Sequence, residues 1–308
     1  LRLGVALSAG FYLFVLLLGR YAADYAIPLG VVLGAASGFF WLAYNVVYFE
    51  VTGPEDRDRF NGWSGLLGSA SGMAAPWLSG LLIARAQGGS GGYRLVFSIS
   101  LAVFVLGVIV SFFLSKRELS GEYKWRYGFR ALADSSSPWR TVFAGLIAQG
   151  IREGVFAFII GVLIFVATRS ETKVGAYSLL TSAAALASFW LIGRLLKPKY
   201  RSPAMLVGVI MMVSAIIPFF WSVNYFTLLV FGITVAVAFP LYIIPITSSV
   251  FDLIGRDQDS ADHRVEYVVL RELGLNAGRV IGTIAFIAVV SWNDSPRIMN
   301  MLLLAVGS

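Results

Sequence analysis

Apolar residues dominate this chain in long runs broken by short polar stretches. Ten runs, 3–18, 25–48, 61–84, 92–114, 139–167, 174–195, 203–221, 225–249, 263–290 and 297–308, are long enough, or nearly so, to cross a hydrocarbon core about 30 Å thick. Lipid offers no partner to a free backbone amide, so continuous apolar runs of this length predict helices. Most connections are short. The exception is 115–138, SKRELSGEYKWRYGFRALADSSSP, which is basic, aromatic and polar and ends in a serine-proline stretch. It reads as a linker between an N-terminal helical bundle, 1–114, and a C-terminal bundle, 139–308.

Composition supports this reading. The chain is 58% hydrophobic and 13% charged, where soluble domains are about 45–50% apolar and about 25% charged; its mean hydropathy is +0.78. These values predict an all-α, polytopic membrane protein whose first partner is the lipid bilayer. The net charge of +7 would suggest nucleic acid in a soluble protein, but here its distribution sets orientation. The residues before the first run and the loops after the second, fourth, sixth and eighth, with the run ends that adjoin them, carry fifteen of the lysines and arginines, and the opposite loops with their run ends carry six. The richer side is therefore expected to be cytoplasmic, in a bacterial inner (plasma) membrane.

Cysteine is absent and His263 is the single histidine, so disulfides, thiolate ligation and multi-histidine metal sites are excluded. No nucleophile–base constellation or nucleotide-binding loop appears. The sequence therefore predicts no enzyme, no metal, no cofactor and no nucleic-acid partner, and it is read as a monomer. The chain opens Leu-Arg-Leu and ends within an apolar run; both ends read as cut.

An internal repeat refines the topology. Phe49-Glu50-Val51-Thr52-Gly53 matches Phe251-Asp252-Leu253-Ile254-Gly255, and Gly68 and Gly72 align with Gly274 and Gly278 after a four-residue insertion in the second copy. The second and third runs thus pair with the eighth and ninth, a repeat of six helices. On that count two helices precede the first run. Two six-helix halves joined by a basic linker resemble the major facilitator superfamily, and stretches such as FEVTGPEDRDRFNG and LRELGLNAGR are similar to those of a poorly characterised Bacillus group of transporters. The resemblance implies a two-bundle (6+6) transporter of small solutes working by alternating access, with about ten helices present here. Departures are visible. Gly193-Arg194-Leu195-Leu196-Lys197-Pro198-Lys199-Tyr200-Arg201 carries lysine where the family's loop motif places aspartate, and the glycine-proline motif at Gly68, Gly72, Pro76 and Gly80 has its proline displaced. Both argue against proton-coupled drug antiport.

Candidate chemistry lies inside the runs. A charge at a bilayer centre costs roughly 2.5–3.5 kcal/mol on insertion scales, so such residues usually face a cavity or each other. At about 100° per residue, Glu272, Asn276, Arg279 and Thr283 share one face of 263–290, while Gly274, Gly278 and Gly282 form a packing face. The run 139–167 carries Gln149, Arg152, Glu153 and Phe156 on one face. The resemblance makes this run a central, cavity-lining helix, with substrate and coupling-ion sites near the midplane. Arg152 and Arg279 could meet an anionic or zwitterionic solute, and Glu153 and Glu272 could carry a coupling proton. The bland alternative is mutual neutralisation, Arg152 with Glu272 or Glu153 with Arg279. Tyr44 and Asn45 share a face with Trp41 and Tyr48, the last of which also suits an aromatic belt, and Tyr242 could line a bend at Pro240 and Pro245. Gly30, Gly34 and Gly38 read as packing positions. The acidic loop 257–262 reads as solvated, with Asp262 capping the helix that follows. Two alternatives to a transporter stay open: a receptor or scaffold with all polar groups paired, and a lipid flippase with a lateral opening.

Overall fold

The structure, a computed structural model, describes residues 1–85, 90–113, 123–168, 171–292, 298, 301–302 and 305. Most of the run 297–308 and part of the linker, 115–122, lie outside the described residues. Elsewhere the apolar runs are helices: α1 Arg2–Leu18, α2 Ala26–Val51, α3 Arg57–Arg85, α4 Ser90–Phe112, α6 Trp139–Thr168, α7 Glu171–Leu195, α8 Arg201–Ser214, α9 Tyr225–Ile254 and α11 Arg264–Trp292. Two short helices, α5 Tyr127–Ala133 and α10 Gln258–Asp262, complete the set among the described residues. Among the described residues, eight candidate membrane spans are long and apolar enough to cross a bilayer. At 1.5 Å per residue, α6 is also long enough, at roughly 45 Å.

Three local expectations are corrected. Asp262 does not cap α11; it ends α10, where its carboxylate accepts from Gln258 Nε2 at 3.1 Å. The cap in this loop is Asp257, whose side chain accepts from the Ser260 amide at 2.8 Å, and α10 lies in the segment that is longer in the second repeat copy. Gly30, Gly34 and Gly38 are not close-packing positions, because a methyl added at any of them would meet nothing within 4 Å. Tyr48 is buried rather than placed at a lipid interface, with 2% of its surface exposed. The run 203–221 also divides, with α8 ending at Ser214 and a 3-10 turn following at Ile217–Phe220. Pro218 supplies no amide and restricts the residue before it, which accounts for the break. By contrast α9 continues through Pro240 and Pro245, both buried.

Contacts group the chain into two compact units, Leu1–Val51 with Ala75–Glu122, and Thr52–Ala74 with Tyr123–Ser308. In the first, α1 packs on α2 and α4. Gly4 lies directly on the backbone of Ala36 and Phe40, Tyr12 stacks on Phe104 with centroids 5.2 Å apart, and Arg2 Nε donates to the Ser111 carbonyl at 3.1 Å. In the second, the main pairs are α6 with α11, α8 with α9 and α7 with α9. Its apolar core gathers Val155, Leu163 and Ile164 of α6 with Phe219, Leu228, Phe231 and Phe286.

Candidate functional site

The site is built on the α6–α11 contact. A Cβ on Gly150 would fall 2.9 Å from Gly278 Cα and 2.9 Å from the Arg279 nitrogen, and Gly154 and Gly282 face similar backbone obstruction. Backbone cannot rotate away as the tip of a side chain can, so the two helices touch main chain to main chain at these positions. The glycine face expected on 263–290 is this contact. It brings the polar side chains of both helices within reach of each other.

Glu153 is the hub. Its Oε1 accepts from Gln149 Nε2 at 2.9 Å, and its Oε2 accepts from Arg279 Nε at 2.9 Å, completing an ion pair with the Arg279 guanidinium at 2.8 Å. Arg279 Nη1 donates to Asn276 Oδ1 at 3.1 Å, and Asn276 Nδ2 donates to the Glu272 carbonyl at 2.8 Å. The Glu272 carboxylate pairs with Arg271, whose guanidinium also lies 5.4 Å from the Phe251 ring centroid. Gln149, Glu153, Asn276 and Arg279 therefore form one hydrogen-bonded chain with Glu272 at its end. Of the two neutralising pairs considered, Glu153–Arg279 is present and Arg152–Glu272 is not.

Arg152 stands apart from that chain. Its Nη2 donates to Met212 Sδ at 3.2 Å and its guanidinium sits 4.8 Å over the Phe156 ring. Its Nε is buried with no hydrogen-bond partner. Tyr242 and Glu153 are both close enough to interact with it electrostatically, Glu153 without forming an ion pair with it. Among the described residues no carboxylate pairs with it, so its positive charge is held in place by a thioether and a ring face. Tyr44 and Asn45 belong to the other unit. There the Tyr44 ring stacks on Phe40, with centroids 6.1 Å apart, and Asn45 is buried.

A second charged cluster was not anticipated. At the basic end, Arg201 Nε donates to both oxygens of Asp58, at 3.0 and 2.9 Å, and its Nη2 donates to the Pro54 carbonyl at 3.0 Å. Asp252 pairs with both Arg201 and Arg57, and Asn61 Nδ2 donates to the Ser248 hydroxyl at 3.0 Å. Two arginines and two aspartates thus tie the starts of α3 and α8 to the end of α9. Asp58 is 2% exposed and Arg57 3%. The FEVTG and FDLIG repeat marked this region in the sequence, but its arginines were counted there only for orientation.

The linker also docks. The Tyr127 ring on α5 stacks on His263 at 3.7 Å, Trp139 stacks on Tyr267 at 4.5 Å, and the Lys124 amide donates to Glu266 Oε1 at 2.9 Å. Burial and its hydrogen bond to Asp259 push the Tyr127 phenol above its ordinary value. Among the described residues no group of three or more metal-ligating side chains is gathered.

Apolar helices of membrane-spanning length define a multi-pass membrane protein, and α6 and α11 carry a partly exposed polar chain between them. The Major Facilitator Superfamily model matches residues 1–283, and the chain belongs to that family. It is 40% identical over 291 residues to "Uncharacterized protein YqgE" of Bacillus subtilis (strain 168), a match covering 94% of this chain and 67% of that protein. It is also 48% identical over 97 residues to "Uncharacterized protein in sodM 3'region" of Geobacillus stearothermophilus, covering 32% of this chain and 45% of that protein. The narrower Bacillus likeness expected from the loop stretches is borne out. Members of the family are transporters rather than enzymes.

Proposed function

We propose that this chain is part of a secondary active transporter that moves a small anionic or zwitterionic solute by alternating access, with Arg152 offering the positive charge. The observation that carries the reading is the unequal fate of the two mid-helix arginines. Arg279 is already paired with Glu153, whereas Arg152 has no carboxylate at ion-pair distance among the described residues. A cation left inside an apolar span costs free energy unless something binds it, and a solute anion is the simplest candidate. Full pairing, as a scaffold requires, would have capped both.

Glu153 is the proposed coupling group. Its protonation would release Arg279 and Gln149 together, loosening the α6–α11 chain at one atom. On the expected division at 115–138, Arg57 and Asp58 lie in the first bundle and Arg201 and Asp252 in the second. Their network then acts as a latch on the cytoplasmic side. Solute uptake into proteoliposomes under an imposed pH gradient tests the coupling. Glu153→Gln should leave exchange at equal pH and abolish the response to the gradient. Unchanged gradient-driven accumulation in Glu153→Gln would remove Glu153 from coupling.

A further inference from the structure

Among the described residues a cavity of about 280 Å³ has walls that include Phe156, Ile160, Phe231, Val235 and Phe239, with Thr181 and Ser182 on its α7 side; Arg152 does not line it and is linked to it through Phe156. Phe156 belongs both to this wall and to the cation–ring contact with Arg152. Helical register fixes where the charge stands relative to the cavity. Arg152 precedes Phe156 by one turn on α6, towards the N-terminus of that helix, and Tyr242 follows Phe239 by about one turn on α9, towards its C-terminus. The two helices run antiparallel here, since α6 starts and α9 ends at the basic end, so both steps lead the same way. Arg152 and Tyr242 meet one turn, about 5.4 Å, beyond the aromatic walls.

We propose that this cavity takes a small amphipathic monoanion, an aryl or branched-alkyl carboxylate or sulfonate, with its apolar body among the phenylalanines and its acid group on Arg152. Two features beyond the transporter reading, on which this rests, narrow the class. One is charge: among the described residues Arg152 has no carboxylate at ion-pair distance, and Glu153, whose field it feels, is held by Arg279, so the site favours a single negative charge. A dianion would leave a buried charge unpaired, and a cation would meet Arg152 directly. The other is size. At about 30 Å³ per water volume, the cavity holds a solute on the order of ten non-hydrogen atoms. The Thr181 and Ser182 hydroxyls can accept or donate to a ring substituent.

The test uses benzoate and benzenesulfonate as probes, with benzamide as the uncharged isostere of benzoate, phthalate as the dianion and benzylamine as the cation. Thermal stabilisation of the purified protein in detergent is titrated with each. Benzoate and benzenesulfonate should bind about 10- to 100-fold more tightly than benzamide, the loss expected when one charge-assisted contact is removed; phthalate and benzylamine should not stabilise. Arg152→Gln should abolish the difference between acid and amide, and Arg152→Lys should restore part of it. Equal binding of benzoate and benzamide by the unsubstituted protein overturns the proposal without relying on any variant folding. So does a preference for the acid that survives Arg152→Gln. Proteoliposome counterflow with labelled benzenesulfonate, whose fixed charge prevents passive leak, separates the two readings. Arg152-dependent binding without counterflow upholds the ligand class and removes transport. Counterflow of other solutes that ignores Arg152 does the reverse.

Discussion

Replacing Arg201 with glutamine tests whether the charged cluster at the basic end holds this part of the molecule together. In the structure Asp58 is 2% exposed, and both of its carboxylate oxygens accept from Arg201 Nε at 3.0 and 2.9 Å. Asp252 is shared, and keeps Arg57 if Arg201 is lost. Arg201→Gln therefore leaves one carboxylate, that of Asp58, buried without its cation. Breaking a buried pair from one side typically costs about 3–5 kcal/mol, most of it the stranded charge. Removing both partners costs much less, because no ion is left in the interior. Arg201→Gln should thus lower stability by about 3 kcal/mol or more. The double variant with Asp58→Asn should recover at least about half of that, giving a coupling energy on the order of 1.5 kcal/mol in a double-mutant cycle. Reversible unfolding of the purified protein in mixed micelles, followed by tryptophan fluorescence, reads both quantities. Additive effects of the two substitutions, or a loss under about 0.5 kcal/mol for Arg201→Gln, would refute the reasoning, because the Asp58 charge would then be solvated or held elsewhere.

Other outcomes follow from the same geometry. Gly278→Ala places a methyl 2.9 Å from Gly150 Cα, so it should cost about 1–3 kcal/mol by forcing α6 and α11 apart; Gly34→Ala, which meets open space, should be neutral or stabilise by a few tenths to about 1 kcal/mol. Thermal denaturation of the two variants side by side checks the contrast. Asp257 is held below its ordinary value of 3.8 by the Ser260 amide that it caps. Its contribution to α10 is therefore complete above 3.8 and lost as pH falls through the lower folded value. Hydrogen exchange at 258–262 should rise under acid in the native chain but not in Asp257→Asn, which still caps yet does not titrate.

The helices were legible in the sequence because bilayer thickness fixes their length, and the described runs became helices, with 203–221 alone broken before Pro218. The glycine face of α11 was legible for a similar reason, since Gly274, Gly278 and Gly282 recur at helical spacing. That spacing alone was not sufficient: Gly30, Gly34 and Gly38 recur in the same way and touch nothing within 4 Å. What separates the two sets is the neighbouring helix, which a one-dimensional pattern does not contain. The Glu153–Arg279 pair was one of two pairings that register allowed, and geometry chose between them. Asp58 and Asp252 went unnoticed because each sits among loop charges at a helix end, where solvation is the ordinary expectation. Asp58 is buried against Arg201, 143 residues away in sequence, and Asp252 shares the same arginine. Helices α5 and α10 were missed because five to seven residues are too few to show a helical period; α5 is held by Tyr127 and Gly128 against His263 and Glu266.

Coupling of solute movement to protons through the α6–α11 polar chain, as proposed above, has a direct readout. Proteoliposomes enclosing a pH-sensitive dye measure this directly as small organic anions and zwitterions are added outside. At least one solute should drive proton movement across the membrane with the native protein, and Glu153→Gln should carry the same solute without moving protons. Solute entry with undiminished proton flow in Glu153→Gln would contradict it.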